Sequence, residues 1–167
     1  QEMISIGEKP YRAEQIFMWL YKEKVKQFDD MTNLSKELRN KLKENFSICN
    51  YEIERKLISK DGTKKYLFNI LDGNMIETVL MEYHHGKTVC VSSQIGCKMG
   101  CKFCASTGIP FVRNLTAGEI VEQIIAIEQD ENTKISNIVF MGIGEPFDNF
   151  DNVIKAIEIF LYYSETV

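Results

Sequence analysis

The run Thr88-Val89-Cys90-Val91-Ser92-Ser93-Gln94-Ile95-Gly96-Cys97-Lys98-Met99-Gly100-Cys101-Lys102-Phe103-Cys104 decides how the second half of this chain folds. Its first residues are short, apolar and β-branched, which predicts a strand near 88–93. The remainder is a glycine- and cysteine-bearing loop. Behind it, Thr116-Ala117-Gly118-Glu119 has the pattern of a capping box. Ile120, Val121, Ile124, Ile125 and Ile127 then supply one apolar helix face. Ile135 to Phe140 reads as a second short strand and Met141-Gly142-Ile143-Gly144-Glu145-Pro146 as its loop. A second helix is expected from about Asn149 to Tyr162, with Val153, Ile154, Ile157 and Phe160 inward. Strand–loop–helix repeated twice is the opening of a parallel α/β fold. Two such units cannot close an eight-stranded barrel, which takes about 250 residues. The expectation is the front part of a longer α/β protein.

Upstream the pattern differs. Pro10 suits a first helical turn, and Ile16, Phe17, Leu20 and Tyr21 form an apolar stripe behind it. Leu34, Leu38, Leu42 and Phe46 repeat at four-residue spacing and predict a second amphipathic helix. Asp61-Gly62 and Leu71-Asp72-Gly73-Asn74 carry turn signals between β-rich runs, so strands are expected near 51–59, 63–71 and 75–83. Two helices and a meander make a small α+β module over residues 1–83, followed by the α/β part over 84–167. His84-His85-Gly86 reads as a hairpin tip.

Apolar content of 44% and charged content of 26% are those of an ordinary globular protein. No run is long and apolar enough for a membrane helix, and no secretory leader is visible. Five cysteines, three of them clustered, argue against a secreted disulfide framework and for a reducing, cytoplasmic setting. The net charge of −4 is uneven. Residues 1–70 carry 14 Lys+Arg against 11 Asp+Glu, and residues 71–167 carry 6 against 13. The basic first half is compatible with a phosphate backbone, although its charges are interspersed as on a solvated helix face.

The chemistry lies in the cysteines. Cys97, Cys101 and Cys104 make a CxxxCxxC triplet with no fourth cysteine behind it. A [4Fe–4S] cluster used for plain electron transfer takes four thiolates. Three leave one iron open to bind the amino and carboxylate groups of S-adenosylmethionine (SAM). A structural zinc site is the competing reading, with Cys90, His84 or His85 as fourth ligand. Both loops follow strands, where α/β folds place reactive centres. Glycines let a backbone approach a ligand closely, and Glu145 can take a ligand ammonium. Cys90 reads equally as a small buried hydrophobe, and Glu77 as an outward polar residue of an alternating strand. Arg113 either meets phosphate or supports the helix start. Cys49 is read as structural.

Cys90 to Cys97, Phe103-Cys104, Arg113-Asn114-Leu115-Thr116 and Phe140 to Pro146 together resemble the RlmN/Cfr family of radical SAM RNA methyltransferases. Gly7-Glu8-Lys9-Pro10-Tyr11-Arg12-Ala13 and Asp29-Asp30-Met31-Thr32 resemble that family's N-terminal RNA-binding module. The resemblance covers nearly the whole chain but only about the first half of a family member. It implies the start of a partial TIM-like (β/α) barrel behind a small α+β accessory domain. It implies a [4Fe–4S] cluster on Cys97, Cys101 and Cys104, and SAM held by Phe103, Gly144 and Glu145. Cys90 matches the family's first catalytic cysteine and Glu77 its proton-accepting glutamate. The implied activity is methylation of adenine C2 in 23S rRNA, and in tRNA, through a methylcysteine, with an external electron donor such as flavodoxin. The methyl-carrying cysteine should lie near a family member's C-terminus. No cysteine follows Cys104 here, so this chain alone is expected to be inactive. The alternatives are C8 methylation of the Cfr type and a zinc-dependent RNA-binding module without enzymatic activity.

Overall fold

The computed structural model describes residues 2–166. Their contacts divide into two compact units, one drawn mainly from the residues up to Cys49 and one from Asn50–Tyr162.

The first unit is helical. It contains α1 (Glu2–Ser5), α2 (Tyr11–Phe17), a π-helical turn over Met18–Lys22, a 3₁₀ turn over Phe28–Asp30, and α3 (Lys36–Asn45). Ser35 caps α3, its hydroxyl accepting from the Leu38 amide at 3.2 Å. Met3, Ile16, Phe28, Met31, Leu34, Leu38 and Leu42 form one core. The Leu34–Leu38–Leu42 spacing therefore marks the buried face as expected. The stripe on α2 is interrupted instead: Ile16 is buried, whereas Phe17, Leu20 and Tyr21 are only partly so. The widening to a π turn at Met18 shifts the side-chain phase there.

The second unit is built on a mixed sheet of β1 (Glu52–Ile58), β2 (Lys64–Asn69), β3 (Met75–Tyr83), β4 (Gly86–Cys90) and, after α4 (Ala117–Glu131), β7 (Asn137–Val139). The order is β1-β2-β3-β4-β7, antiparallel through β4, with β7 parallel to β4. β5 (Gln94–Ile95) and β6 (Arg113–Asn114) form a separate two-residue ladder. A 3₁₀ turn (Pro146–Asn149) leads into α5 (Phe150–Thr166).

The expected boundary at residue 83 is not where the contacts divide. β3 pairs with β2 along one edge and with β4 along the other, so hydrogen bonding runs through the His84–His85 tip. The meander thus shares one sheet with the α/β part.

Alternation along the strands separates two sheet faces. Tyr66, Phe68, Ile76, Thr78, Leu80 and Val89 are buried on one. α4 lies over that face, as its hydrogen bonds to Tyr66 and Thr78 require. Its N-terminus has the expected capping box between Thr116 and Glu119. At its other end the buried Tyr66 hydroxyl donates to Asp130 at 2.8 Å and to Glu131 at 2.6 Å. Lys56 pairs with both carboxylates, and Lys64 with Glu131. Burial opposes ionisation of Glu131, but its bonds to Lys56, Lys64 and Tyr66 hold its pKa down at about 2. Burial first, and then the two carboxylates, push the Tyr66 hydroxyl up. On α5, Val153 and Ala156 are buried while Ile154 and Ile157 stay partly exposed. Ile157, Phe160 and Leu161 line an open apolar groove with Ile120, Ile124 and Phe140. Among the described residues no helix is long and apolar enough to cross a membrane.

Candidate functional site

The sheet face away from α4 carries Glu77 and Cys90. Glu77 and Val79 point the same way along β3, and Val79 lies directly opposite Cys90. The two predicted residues are therefore diagonal neighbours on one face. The Glu77 carboxylate is 2.6 Å from the Lys65 ammonium on β2. Cys90 is half-buried; burial pushes its thiol up, and the Met141 amide hydrogen bond partly offsets this. A raised pKa keeps the thiol protonated at neutral pH, so its use as a nucleophile requires a proton acceptor or a change in surroundings.

After Cys90 the chain leaves the sheet. The Val91 amide donates to the Val139 carbonyl and the Gly142 amide to the Val91 carbonyl. The Ser93 and Gln94 amides both donate to the Ile143 carbonyl. The cysteine loop is then closed at its base by the β5–β6 ladder. Gly96 is required there: φ is +69°, and a Cβ would stand 1.8 Å from the Pro110 carbonyl oxygen. Within the loop successive turns fold the chain back, with the Cys104 amide donating to the Cys101 carbonyl and Thr107 to Cys104.

Cys90, Cys97, Cys101 and Cys104 carry free thiols. Cys97 is half-buried and Cys101 and Cys104 are exposed, while Phe103 between them is 93% exposed. Among the described residues no three Cys, His, Asp or Glu side chains converge into a metal-holding group. The donor set nevertheless fits an iron–sulfur cluster in kind: three free thiols on one eight-residue loop, held by main-chain bonds rather than by their own side chains.

The second loop packs against the base of the first. A Cβ on Gly142 would lie 2.6 Å from the Val91 carbonyl oxygen, and one on Gly144 (φ +110°) 2.7 Å from Gln94 Cβ. The Glu145 amide donates to Gln94 Oε1 at 2.9 Å, and Gln94 donates to Asn114 at 2.8 Å. The Glu145 carboxylate accepts from the Phe147 amide at 3.0 Å and so caps the 3₁₀ turn. Lys98 bridges to Asp148 at 3.0 Å. Buried Asn149 donates to both the Ser93 and Leu115 carbonyls.

Arg113 is occupied by protein groups. It grips Glu119 with two bonds of 2.7 and 2.8 Å and Asp72 with two of 2.6 and 2.8 Å. Of its two predicted roles the geometry supplies support of the helix start. Sequence reasoning missed Lys65, Asp72, Ser92, Gln94, Gln123 and Asn149. Gln123 did carry a signal, a polar residue on the helix face of Ile120, Ile124 and Ile127.

Residues 2–48 match the family model of the ribosomal RNA large subunit methyltransferase N-terminal domain (RlmN_N). The chain is 54% identical to a probable dual-specificity RNA methyltransferase RlmN of Clostridium novyi, over 92% of this chain and 45% of the relative. It is equally 54% identical to a probable dual-specificity RNA methyltransferase RlmN of Clostridioides difficile, over 94% of this chain and 46% of that protein. The chain thus spans about half the length of the curated relatives it matches. The fold is similar to that of a radical SAM methyltransferase from Sphaerobacter thermophilus, with a TM-score of 0.82 and 41% identity, covering 95% of this chain and 48% of that one.

Proposed function

We propose, on the premise that this chain is the first half of an RlmN-type radical SAM methyltransferase, that it serves methylation of adenine C2 in 23S rRNA and tRNA. In this reading β4–α4–β7 opens a partial (β/α) barrel, and the helical unit belongs to an accessory RNA-binding module. One observation carries the reading: Glu77 and Cys90 share the open sheet face at the strand ends where the cysteine loop and the Gly142–Glu145 loop meet.

Cys97, Cys101 and Cys104 would hold the cluster; Phe103, Gly144 and Glu145 would hold SAM. When bound, cluster and cofactor supply one-electron cleavage of a sulfur–carbon bond, with electrons from an external donor such as flavodoxin. The chain's own residues do the rest. Glu77, kept beside the Lys65 ammonium, accepts the proton that the adenine ring must lose. Cys90 gives up its own proton and attacks the sulfur that links a protein cysteine to the modified base. The sulfur–carbon bond breaks toward the base as the disulfide forms, and the freed methylene carbon takes up one proton, matching the one Cys90 gave up, to complete the methyl group. Gly142 and Gly144 let the second loop approach the first without side chains between them.

The test is mass spectrometry of RNA treated with the protein at its relatives' full length, reconstituted with iron and sulfide. The expected product is 2-methyladenosine, lost in Glu77→Gln and Cys90→Ala. An 8-methyladenosine product would transfer the site to the Cfr type. One tightly bound zinc and no methylated adenine would refute the reading in favour of a zinc-dependent RNA-binding module.

A further inference from the structure

Behind the open face lies a polar cluster with no solvent access. Gln123 of α4 is fully buried, as is Ser92. The Gln123 carboxamide grips the Ser92 peptide from both sides: Oε1 accepts from the Ser92 amide at 2.8 Å, and Nε2 donates to the Ser92 carbonyl at 2.9 Å. Its oxygen also accepts from the Thr78 hydroxyl at 2.8 Å. The Ser92 hydroxyl donates to the Glu77 carbonyl at 2.6 Å and accepts from the Ile143 amide at 3.1 Å. Four segments meet here: β3 at Glu77, the exit of β4 at Ser92, α4, and the Gly142–Glu145 loop.

The register explains why a side-chain amide is needed. Val79 opposes Cys90, and continuing the β3–β4 ladder would place Ser92 opposite Glu77. The ladder ends at Cys90 because the chain must turn away into the cysteine loop. The Ser92 peptide then has no strand to pair with, and a buried unpaired peptide is strongly disfavoured. Gln123 replaces the missing strand. The Ser92 hydroxyl spans the gap to Glu77 and catches the second loop in the same contact.

We propose that Gln123 is a positioning residue that, through Ser92, sets the spacing of Glu77, Cys90 and the Gly142–Glu145 loop. Its catalytic consequence rests on the function proposed above; its geometric consequence does not. Gln123 reaches none of the reacting groups itself. A displacement of about 1 Å at such a site lowers turnover by about 100-fold, so losing the clamp should act on kcat more than on KM.

The experiment uses the protein at its relatives' full length, with Gln123→Met, Ser92→Ala, their combination, and Thr78→Val as control. Thr78→Val removes one bond to the same carboxamide but leaves the grip on Ser92 intact. Ser92→Ala keeps both main-chain bonds to Gln123, so it remains informative where Gln123→Met does not fold. Two quantities are read: kcat for adenine methylation, and the rate at which iodoacetamide alkylates Cys90, followed by peptide mass spectrometry. The expected result is a kcat lowered about 10-fold or more in Gln123→Met and in Ser92→Ala, with the double no worse than the worse single, as for residues acting through one network. Cys90 alkylation should change severalfold in the same variants and stay near wild type in Thr78→Val. Ser92→Ala with wild-type kcat and wild-type Cys90 alkylation would overturn the proposal. Melting temperature is recorded alongside, and a loss of activity in Gln123→Met and Ser92→Ala that only follows the fall in melting temperature, on the same line as Thr78→Val, would overturn it too. Wild type that methylates no adenine overturns the functional reading alone. Cys90 alkylation then still decides whether Gln123 holds the strand.

Discussion

Replacing Arg113 with Ala separates its two predicted roles. The guanidinium makes a two-pronged contact with Glu119, whose side chain is 13% exposed, and a second with Asp72, which is 37% exposed. Hydrogen bonds to charged groups contribute about 1.5–3 kcal/mol each when sheltered. An exposed pair contributes about 0–1 kcal/mol. The Glu119 arm therefore dominates, and Glu119 keeps its bonds to Thr116 when Arg113 is lost. The net loss should be about 2 kcal/mol, felt locally at the start of α4 and in the Asp72–Asn74 turn. Amide hydrogen exchange reads this directly, since about 2 kcal/mol corresponds to about 30-fold faster exchange through local opening. The pH dependence has a definite sign. Burial opposes ionisation of both carboxyls, but Arg113 and nearby hydrogen bonds hold them below their usual range. Such stabilisation is present above the unfolded values near about pH 4 and fades as pH falls through the lowered folded values. The wild-type advantage should be full at pH 7 and shrink below about pH 4. Unchanged exchange at both segments, together with weakened RNA binding, would refute this assignment and make Arg113 a phosphate contact.

Tyr66→Phe removes the hydroxyl shared by Asp130 and Glu131 but leaves both carboxylates paired with lysine. It should cost about 1–2 kcal/mol in chemical unfolding. Because Glu131 is held at about 2, its contribution should persist above about pH 4 and disappear only as pH approaches about 2. Gly96→Ala forces a methyl into the Pro110 carbonyl at a positive φ. It should abolish iron binding by the cysteine loop while leaving the fluorescence of Trp19, which lies in the helical unit, unchanged.

The elements were readable where a local rule decides them. Thr116–Glu119 gave the start of α4 because a capping box is closed within four residues, and the two Asp-Gly turns gave the meander. Leu34, Leu38 and Leu42 gave the first unit's core because one helical face does the burying. The join between β3 and β4 was not readable, since strand pairing across a two-histidine tip depends on partners that no local pattern specifies. Around the candidate site, the strand positions of Glu77 and Cys90 and the loop positions of Cys97, Cys101, Cys104 and Gly144-Glu145 were legible, while the roles given to these residues are proposals. Their supports were not legible. Lys65, Gln94 and Asn149 act through contacts between residues 12 or more apart in sequence, and only Gln123 advertised itself by interrupting an apolar helix face.

The most direct measurement is EPR of the iron- and sulfide-reconstituted, reduced protein, with and without SAM, under strict anaerobiosis. The account predicts a [4Fe–4S]⁺ signal that changes shape on adding SAM and vanishes when Cys97, Cys101 or Cys104 is replaced. A chain that takes up one zinc and assembles no cluster, or whose cluster survives the loss of any of these cysteines, would contradict it.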